Sequence, residues 1–257
     1  MNDLPGEAAE VTSQYLSLVD SLLPGRVIGL YLTGSIPLGD YHSGLSDVDG
    51  VVVVSEPLSD PEVVRAVHSE LPGPPYFDVT YLHTSALAAP PDRRTPVVYT
   101  VDGEFRDPAQ AGPVTPVLWS EMARQSIAVR AVPGLVVHDD HQALVDHTRA
   151  NLTSYWEPIL DRLSQGVAEL PADHVLDGWI IPWYVLGIPR LHALLATGNI
   201  ISKTAAGEHG AALFPSYADL CTRCIAHRAG DTVTFTTADV APTIAFGRAV
   251  ISSALAL

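Results

Sequence analysis

Lysine is nearly absent from this 257-residue chain. Lys203 is the single one, and with the arginines it makes 14 cationic side chains against 29 acidic ones, a formal net charge of −15. So acidic a surface repels a phosphate backbone and attracts cations, so no nucleic-acid partner is expected and a cationic small molecule is a natural one. The same acidity also serves solubility, and charge by itself does not choose between these readings. Cysteine is scarce as well: Cys221 and Cys224 are too few for a disulfide scaffold and fit a reducing, cytoplasmic setting. Their CxxC spacing lacks the second pair of ligands that a zinc site needs, and it reads as two buried small residues on a helix. Long apolar runs are missing too; no stretch of about 18 uninterrupted apolar residues marks a membrane span. The opening residues MNDLPGEAAEV have neither a basic nor an apolar leader region. A monomer without membrane or nucleic-acid partners is the expectation.

What is present is a 47% hydrophobic content, enough for a substantial core. Helical spacing over 7–23 (Val11, Tyr15, Leu18, Leu22) ends at Pro24-Gly25. Strands are predicted at 27–33, 48–54, 76–82 and, near the sheet edge, 97–101, with a helix opening at Pro61. From Val117 onward helical periodicity dominates, over 117–131, 141–169, 178–197, 203–213, 216–229 and 238–256, with one β-like interruption at 232–236. A change from mixed α/β to mostly helical sequence commonly separates two domains. The expected fold is an α/β N-terminal domain with a small mixed sheet (1–115) and an all-α helical-bundle domain (116–257). The Pro/Gly-rich segment 107–116 is the plausible boundary, and 132–140 competes with it.

The chemistry is concentrated in LYLTGSIPLGDYHSGLSDVDGVVVV, Leu30 to Val54. Asp47 and Asp49 stand two residues apart at the start of a strand, so they point the same way while Val48 faces the core. Two carboxylates forced together repel, and a hard oxygen-seeking cation such as Mg²⁺ relieves this. Before them, Gly34-Ser35 ends the previous strand where a glycine permits close backbone approach, and Ser35 and Ser46 add hydroxyls to an anion-binding loop. A third acid, Asp78, interrupts the apolar run YFDVTYL; beside the Asp47/Asp49 strand it completes a carboxylate triad, as metal ligand or as proton acceptor. Lys203 follows a Gly turn at the head of a helix, which makes a phosphate site.

Gly34-Ser35, the spaced Ser46-Asp47-Val48-Asp49 and the later Asp78 resemble the nucleotidyltransferase superfamily that includes DNA polymerase β. More narrowly, the chain resembles the aminoglycoside nucleotidyltransferases of the streptomycin/spectinomycin 3″/9 type. The helical half contributes to the resemblance through WYVL at 183–186, Arg190-Leu191-His192 and the TGNIISK turn at 197–203. The resemblance implies Mg²⁺ at Asp47 and Asp49, ATP as cosubstrate, and transfer of AMP to a hydroxyl of a small polar, cationic acceptor such as an aminoglycoside. It implies that Gly34, Ser35, Ser46, Arg190 and Lys203 bind the nucleotide, and that Phe105, Asp173 and Asp177 fall near the acceptor. The chain departs from the family's pattern at two places. Asp78 stands where Glu is typical, one methylene shorter, and Phe105 falls where a Trp is expected. These departures leave room for a natural-product intermediate or a protein hydroxyl as acceptor. A non-catalytic nucleotide-binding regulatory module is a third reading.

Overall fold

A computed structural model of the chain describes residues 4–58, 61–106 and 112–257. In chain order the N-terminal unit holds α1 (Gly6–Leu22), β1 (Val27–Leu32), β2 (Val48–Val54), α2 (Pro61–Ser69), β3 (Phe77–His83), α3 (Thr84–Leu87), β4 (Tyr99–Val101), β5 (Glu104–Arg106), α4 (Pro116–Arg124) and β6 (Ile127–Arg130). The helical unit follows with α5 (His141–Asn151), α6 (Glu157–Gly166), α7 (Ile180–Thr197), α8 (Lys203–Leu213), α9 (Ala218–Arg228) and α10 (Val240–Leu255). A wide π turn at Leu152–Trp156 joins α5 to α6.

The strands form one mixed sheet in the order β5-β4-β3-β2-β1-β6. β2 and β3 run parallel, with α2 as the crossover between them, and the other neighbouring pairs are antiparallel. Strand alternation divides the apolar side chains between two faces. Val48, Val52 and Val54 of β2 join Phe77, Val79 and Tyr81 of β3 under α1 and α2. Val51, Val53 and Leu82 turn to the other face, against Leu87 of α3 and Trp119 and Met122 of α4. Both faces are covered, which is why β2 reads as an almost unbroken valine run. Helix α1 buries Ala8, Val11, Tyr15 and Val19, one stripe at helical spacing.

In the helical unit α7 is central and packs against α8, α9 and α10. Val185, Leu186 and Ile188 of α7 are buried with Phe246, Val250 and Ile251 of α10 and with Cys221 and Cys224, whose thiols burial pushes up. By length and composition α7 is apolar enough to cross a membrane, yet more than half of it is buried inside this unit.

Several features differ from the sequence expectations: α3 and β5 were not expected, and the β-like segment 232–236 holds only an isolated bridge at Thr236. The helix expected over 117–131 ends at Arg124, and Ile127–Arg130 instead forms β6, paired with β1. Ile127 and Val129 continue the apolar spacing of α4, so periodicity alone does not separate the two elements. Contacts divide the chain after His141, into Met1–His141 and Gln142–Leu257. α4 and β6 belong with the sheet because one caps its face and the other extends its edge. Of the expected boundary segment, 107–111 lie outside the described residues.

A buried polar chain crosses the α1/α2 face. Tyr15 Oη donates to Tyr81 Oη at 2.9 Å, and His68 Nε2 lies 2.9 Å from the same oxygen. The His68 ring packs with Tyr15, Phe77 and Tyr81, and burial lowers its pKa from 6.5 to about 4. His68 is therefore neutral in the folded chain and takes up a proton on unfolding between those pH values. Its contribution is complete above pH 6.5 and is lost as the pH falls toward 4. The expected loss is on the order of 2–3 kcal/mol. Urea unfolding at several pH values checks this: His68→Gln, which keeps a hydrogen-bonding partner for Tyr81 and removes the titration, flattens the wild-type slope in that window. Equal slopes in the two proteins contradict it.

Candidate active site

The acids gather where β2 begins. Thr33, just past β1, donates its N–H to the Asp49 carbonyl at 2.9 Å, and Gly34 follows with φ 67°. A Cβ built on Gly34 runs into the Asp49 carboxylate, so any larger residue there must displace that side chain, and the backbone itself favours glycine. The loop from Ser35 to Ser46 is folded on itself and tied to the start of α1. Asp40 N–H donates to the Ser35 carbonyl at 2.9 Å, His42 N–H donates to Ser46 Oγ at 3.1 Å, and His42 Nε2 lies 3.1 Å from Asp40 Oδ1. Tyr41 Oη and Ser43 Oγ donate to the two oxygens of Glu7 at 2.8 and 2.6 Å. These hydroxyls, Ser43 foremost, hold the Glu7 carboxyl below the usual carboxylate range. The loop is thus prearranged rather than slack, and Ser46 is buried within it.

Val48 is fully buried under α1 and α2, while Asp47 and Asp49 are half-buried on the opposite, α4-covered face, the one shared by Val51 and Val53. Across the parallel pair Asp49 is in register with Asp78, which puts Asp78 on the same face. Asp47 Oδ1 accepts the Tyr76 N–H at 3.3 Å. Asp78 accepts two backbone N–H bonds from the β4–β5 turn, Oδ2 from Asp102 at 2.7 Å and Oδ1 from Gly103 at 3.0 Å. Burial pushes the Asp78 carboxyl up and the charges of Asp47 and Asp102 add to that; the two N–H donors pull the other way, and the net direction is up.

Oxygens of Asp47, Asp78 and Asp102 all lie within 4.8 Å of one another. At metal–oxygen distances of about 2.0–2.1 Å, opposite ligands of an octahedral Mg²⁺ stand about 4.2 Å apart. The donor set is all oxygen and its span is close to that of such a shell, so the residues fit a hard divalent cation. Asp102 is the member that sequence reasoning missed. Its signal was Asp102-Gly103 between two apolar-containing segments, a strong two-residue hairpin motif, masked because β4 and β5 are only three residues each.

The other expected residues are placed as follows. Phe105 lies on the α1/α2 side of the sheet with the Arg65 guanidinium 4.3 Å from its ring centre, on the face opposite the acids. In the helical unit α7 closes at Gly198 in the left-handed conformation, and Ser202 caps α8 by accepting the Ala205 N–H at 3.2 Å. Arg190 Nε donates to the Ile201 carbonyl of this turn at 3.1 Å, and Lys203 is the exposed first residue of α8. Asp173 and Asp177 are exposed on the segment leading into α7; the Asp177 carbonyl accepts the Ile180 N–H at 3.0 Å. Beside them Trp179 is 63% exposed, and its ring meets that of Trp183 edge-on, with Trp156 behind.

Comparison with known proteins fits this geometry. Residues 13–83, which include Asp47, Asp49 and Asp78, match the family model of the nucleotidyltransferase domain. No curated protein matches the chain in sequence. Among solved structures, the chain is similar to spectinomycin adenyltransferase AAD(9) from Enterococcus faecialis, solved with ATP and spectinomycin. The TM-score is 0.66 at 16% identity, over 95% of this chain and 99% of the other. Residues 13–83 thus resemble a nucleotidyltransferase domain in sequence, and over nearly its whole length the chain has the fold of that adenyltransferase.

Proposed function

We propose that the protein is an Mg²⁺-dependent nucleotidyltransferase that moves AMP from ATP to a hydroxyl of a small, cationic acceptor such as an aminoglycoside. The observation that carries this reading is the convergence of Asp47 and Asp78, both within the segment that matches the nucleotidyltransferase model, with Asp102 beyond it. Asp47 and Asp49 would hold the metal, with Asp78 and Asp102 as the further oxygen donors that converge on Asp47, and the metal would supply charge neutralisation at the phosphates. Gly34 and Ser35 let the backbone and a hydroxyl approach the triphosphate, with Ser46 shaping their loop. The family resemblance would make Arg190 and Lys203 phosphate-binding cations. Asp78 is the third carboxylate. The acceptor oxygen forms a bond to the α-phosphorus, the bond to the departing pyrophosphate breaks, and the hydroxyl proton passes to a carboxylate of the cluster. Asp173 and Asp177, with the chain's net charge of −15, favour a polycationic acceptor.

The same chemistry on a different hydroxyl, of a natural-product intermediate or a protein, is a second reading. It is favoured by Phe105 lying opposite the acids and by the shorter Asp78. Pyrophosphate release and product mass, measured with Mg·ATP against a panel of aminoglycosides, test the proposal: adenylylated product is expected with at least one member. Mg²⁺-dependent ATP binding without product on any member turns the assignment to the second reading. ATP binding indifferent to Mg²⁺ points to a non-catalytic module.

A further inference from the structure

We propose that Glu7, in the first turn of α1, is a positioning residue for the nucleotide: it fixes residues 41–46 of the loop before β2 and so sets the affinity for Mg·ATP. This deepens the nucleotidyl-transfer reading and rests on it.

The loop is built of two lobes. The first closes where the Asp40 N–H donates to the Ser35 carbonyl at 2.9 Å and the Gly39 N–H to that of Ile36 at 3.1 Å. The second closes where the Leu45 and Ser46 N–H groups donate to the His42 carbonyl at 3.1 and 2.9 Å. Internal bonds of this kind give each lobe its shape and leave its place relative to the sheet open. Ile36 seats the first lobe, buried in the core under α1 and α2. Glu7 holds the second. Its carboxylate accepts the hydroxyls of Tyr41 and Ser43 at 2.8 and 2.6 Å, and the Gly44 N–H is a third donor. Hydrogen bonds to an ionised group are roughly twice as strong as neutral ones, and three from residues 41, 43 and 44 clasp one turn of chain. The support behind Glu7 is firm, because the next residue, Ala8, is fully buried and begins the stripe that packs α1 on the sheet. Burial raises the Tyr41 hydroxyl and the charges of Glu7 and Asp47 add to that, so the phenol stays protonated and keeps donating. The clasped lobe ends at Ser46 and runs directly into Asp47, the two residues through which the loop meets nucleotide and metal. A lobe already held in place loses no freedom when the nucleotide binds, and affinity rises accordingly.

Calorimetric titration with Mg²⁺ and α,β-methylene ATP, which lacks the oxygen bridge that transfer would break, tests this. Glu7→Ala is expected to weaken the nucleotide about tenfold. Tyr41→Phe with Ser43→Ala removes two of the donors from the other side and is expected to weaken it by a similar factor. All three substitutions together are expected to be no more than about twofold weaker than either set. Val11→Ala separates positioning from stability: it opens a cavity under the same helix, lowers stability in urea and is expected to leave nucleotide affinity within about twofold of wild type. Wild-type affinity in Glu7→Ala, a multiplicative loss in the combined variant, or the same tenfold loss in Val11→Ala overturns the inference. If Glu7→Ala does not fold, the Tyr41/Ser43 variant decides by the same measure. A wild-type chain that binds no Mg²⁺-nucleotide overturns both this inference and the transfer reading. A chain that shows the expected pattern but forms no adenylylated product from ATP overturns the transfer reading and leaves the role of Glu7 standing.

Discussion

Asp47→Asn is expected to abolish nucleotide transfer while leaving the fold intact. The substitution keeps size and shape, and the Asn Oδ1 can still accept the Tyr76 N–H that Asp47 accepts at 3.3 Å. It removes one of the carboxylates whose oxygens stand within 4.8 Å of one another, and with it the charge that binds a divalent cation. Metal stabilisation of a phosphoryl transition state is worth several kcal/mol, so the expected loss in kcat is about a thousandfold or more. Stability moves the other way. Losing a like charge beside Asp78 and Asp102 leaves the melting temperature unchanged or slightly raised, as befits a site strained for function. Steady-state kinetics paired with thermal unfolding check both halves. A D47N variant with wild-type turnover sinks the metal role, and one that fails to fold shows Asp47 to be structural.

Gly34→Ala is the second large effect. Alanine in the left-handed region costs about 1–2 kcal/mol, and the φ of 67° at Gly34 lies there. The greater penalty is spatial, since the new Cβ strikes the Asp49 carboxylate. Asp49 belongs to a strand paired on both sides, so its backbone cannot retreat and the side chain must turn out of the site. A misplacement of about 1 Å in such a constellation costs on the order of a hundredfold in rate. Gly39→Ala is the control. Gly39 has φ 66° in the same loop, but a Cβ there meets nothing within 4 Å. In urea unfolding Gly39→Ala is expected to lose about 1–2 kcal/mol, and Gly34→Ala more than that. Only Gly34→Ala is expected to lose Mg²⁺-dependent ATP binding. Equal loss in the two variants shows that loop strain, rather than the approach of Gly34 to Asp49, governs the site.

That Asp47, Asp49 and Asp78 share one face of the sheet was legible because a strand has a period of two and burying valines is its ordinary business. A pair of carboxylates breaking such a run at that period has few structural excuses. Ranges of the long elements were legible for the same reason: α1, β1, β2 and β3 lie within a residue or two of the expected spans. The short strands were not. β5 has three residues, and β6 has four that prolong the apolar rhythm of the helix before it, too few for either period to declare itself.

By itself the sequence determined the local chemistry of this protein: which segments become helix or strand, and which acids interrupt them on one side. Those properties depend on neighbours a few residues away, through backbone geometry and side-chain period. Only the tertiary structure decided who meets whom. It put Asp78 in register with Asp49, turned Phe105 to the opposite face under Arg65, and folded a two-residue turn so that Asp102 joined Asp47 across a long stretch of chain. Strand order and hairpin register are set by the packing of both sheet faces together, and no window along the chain contains that information.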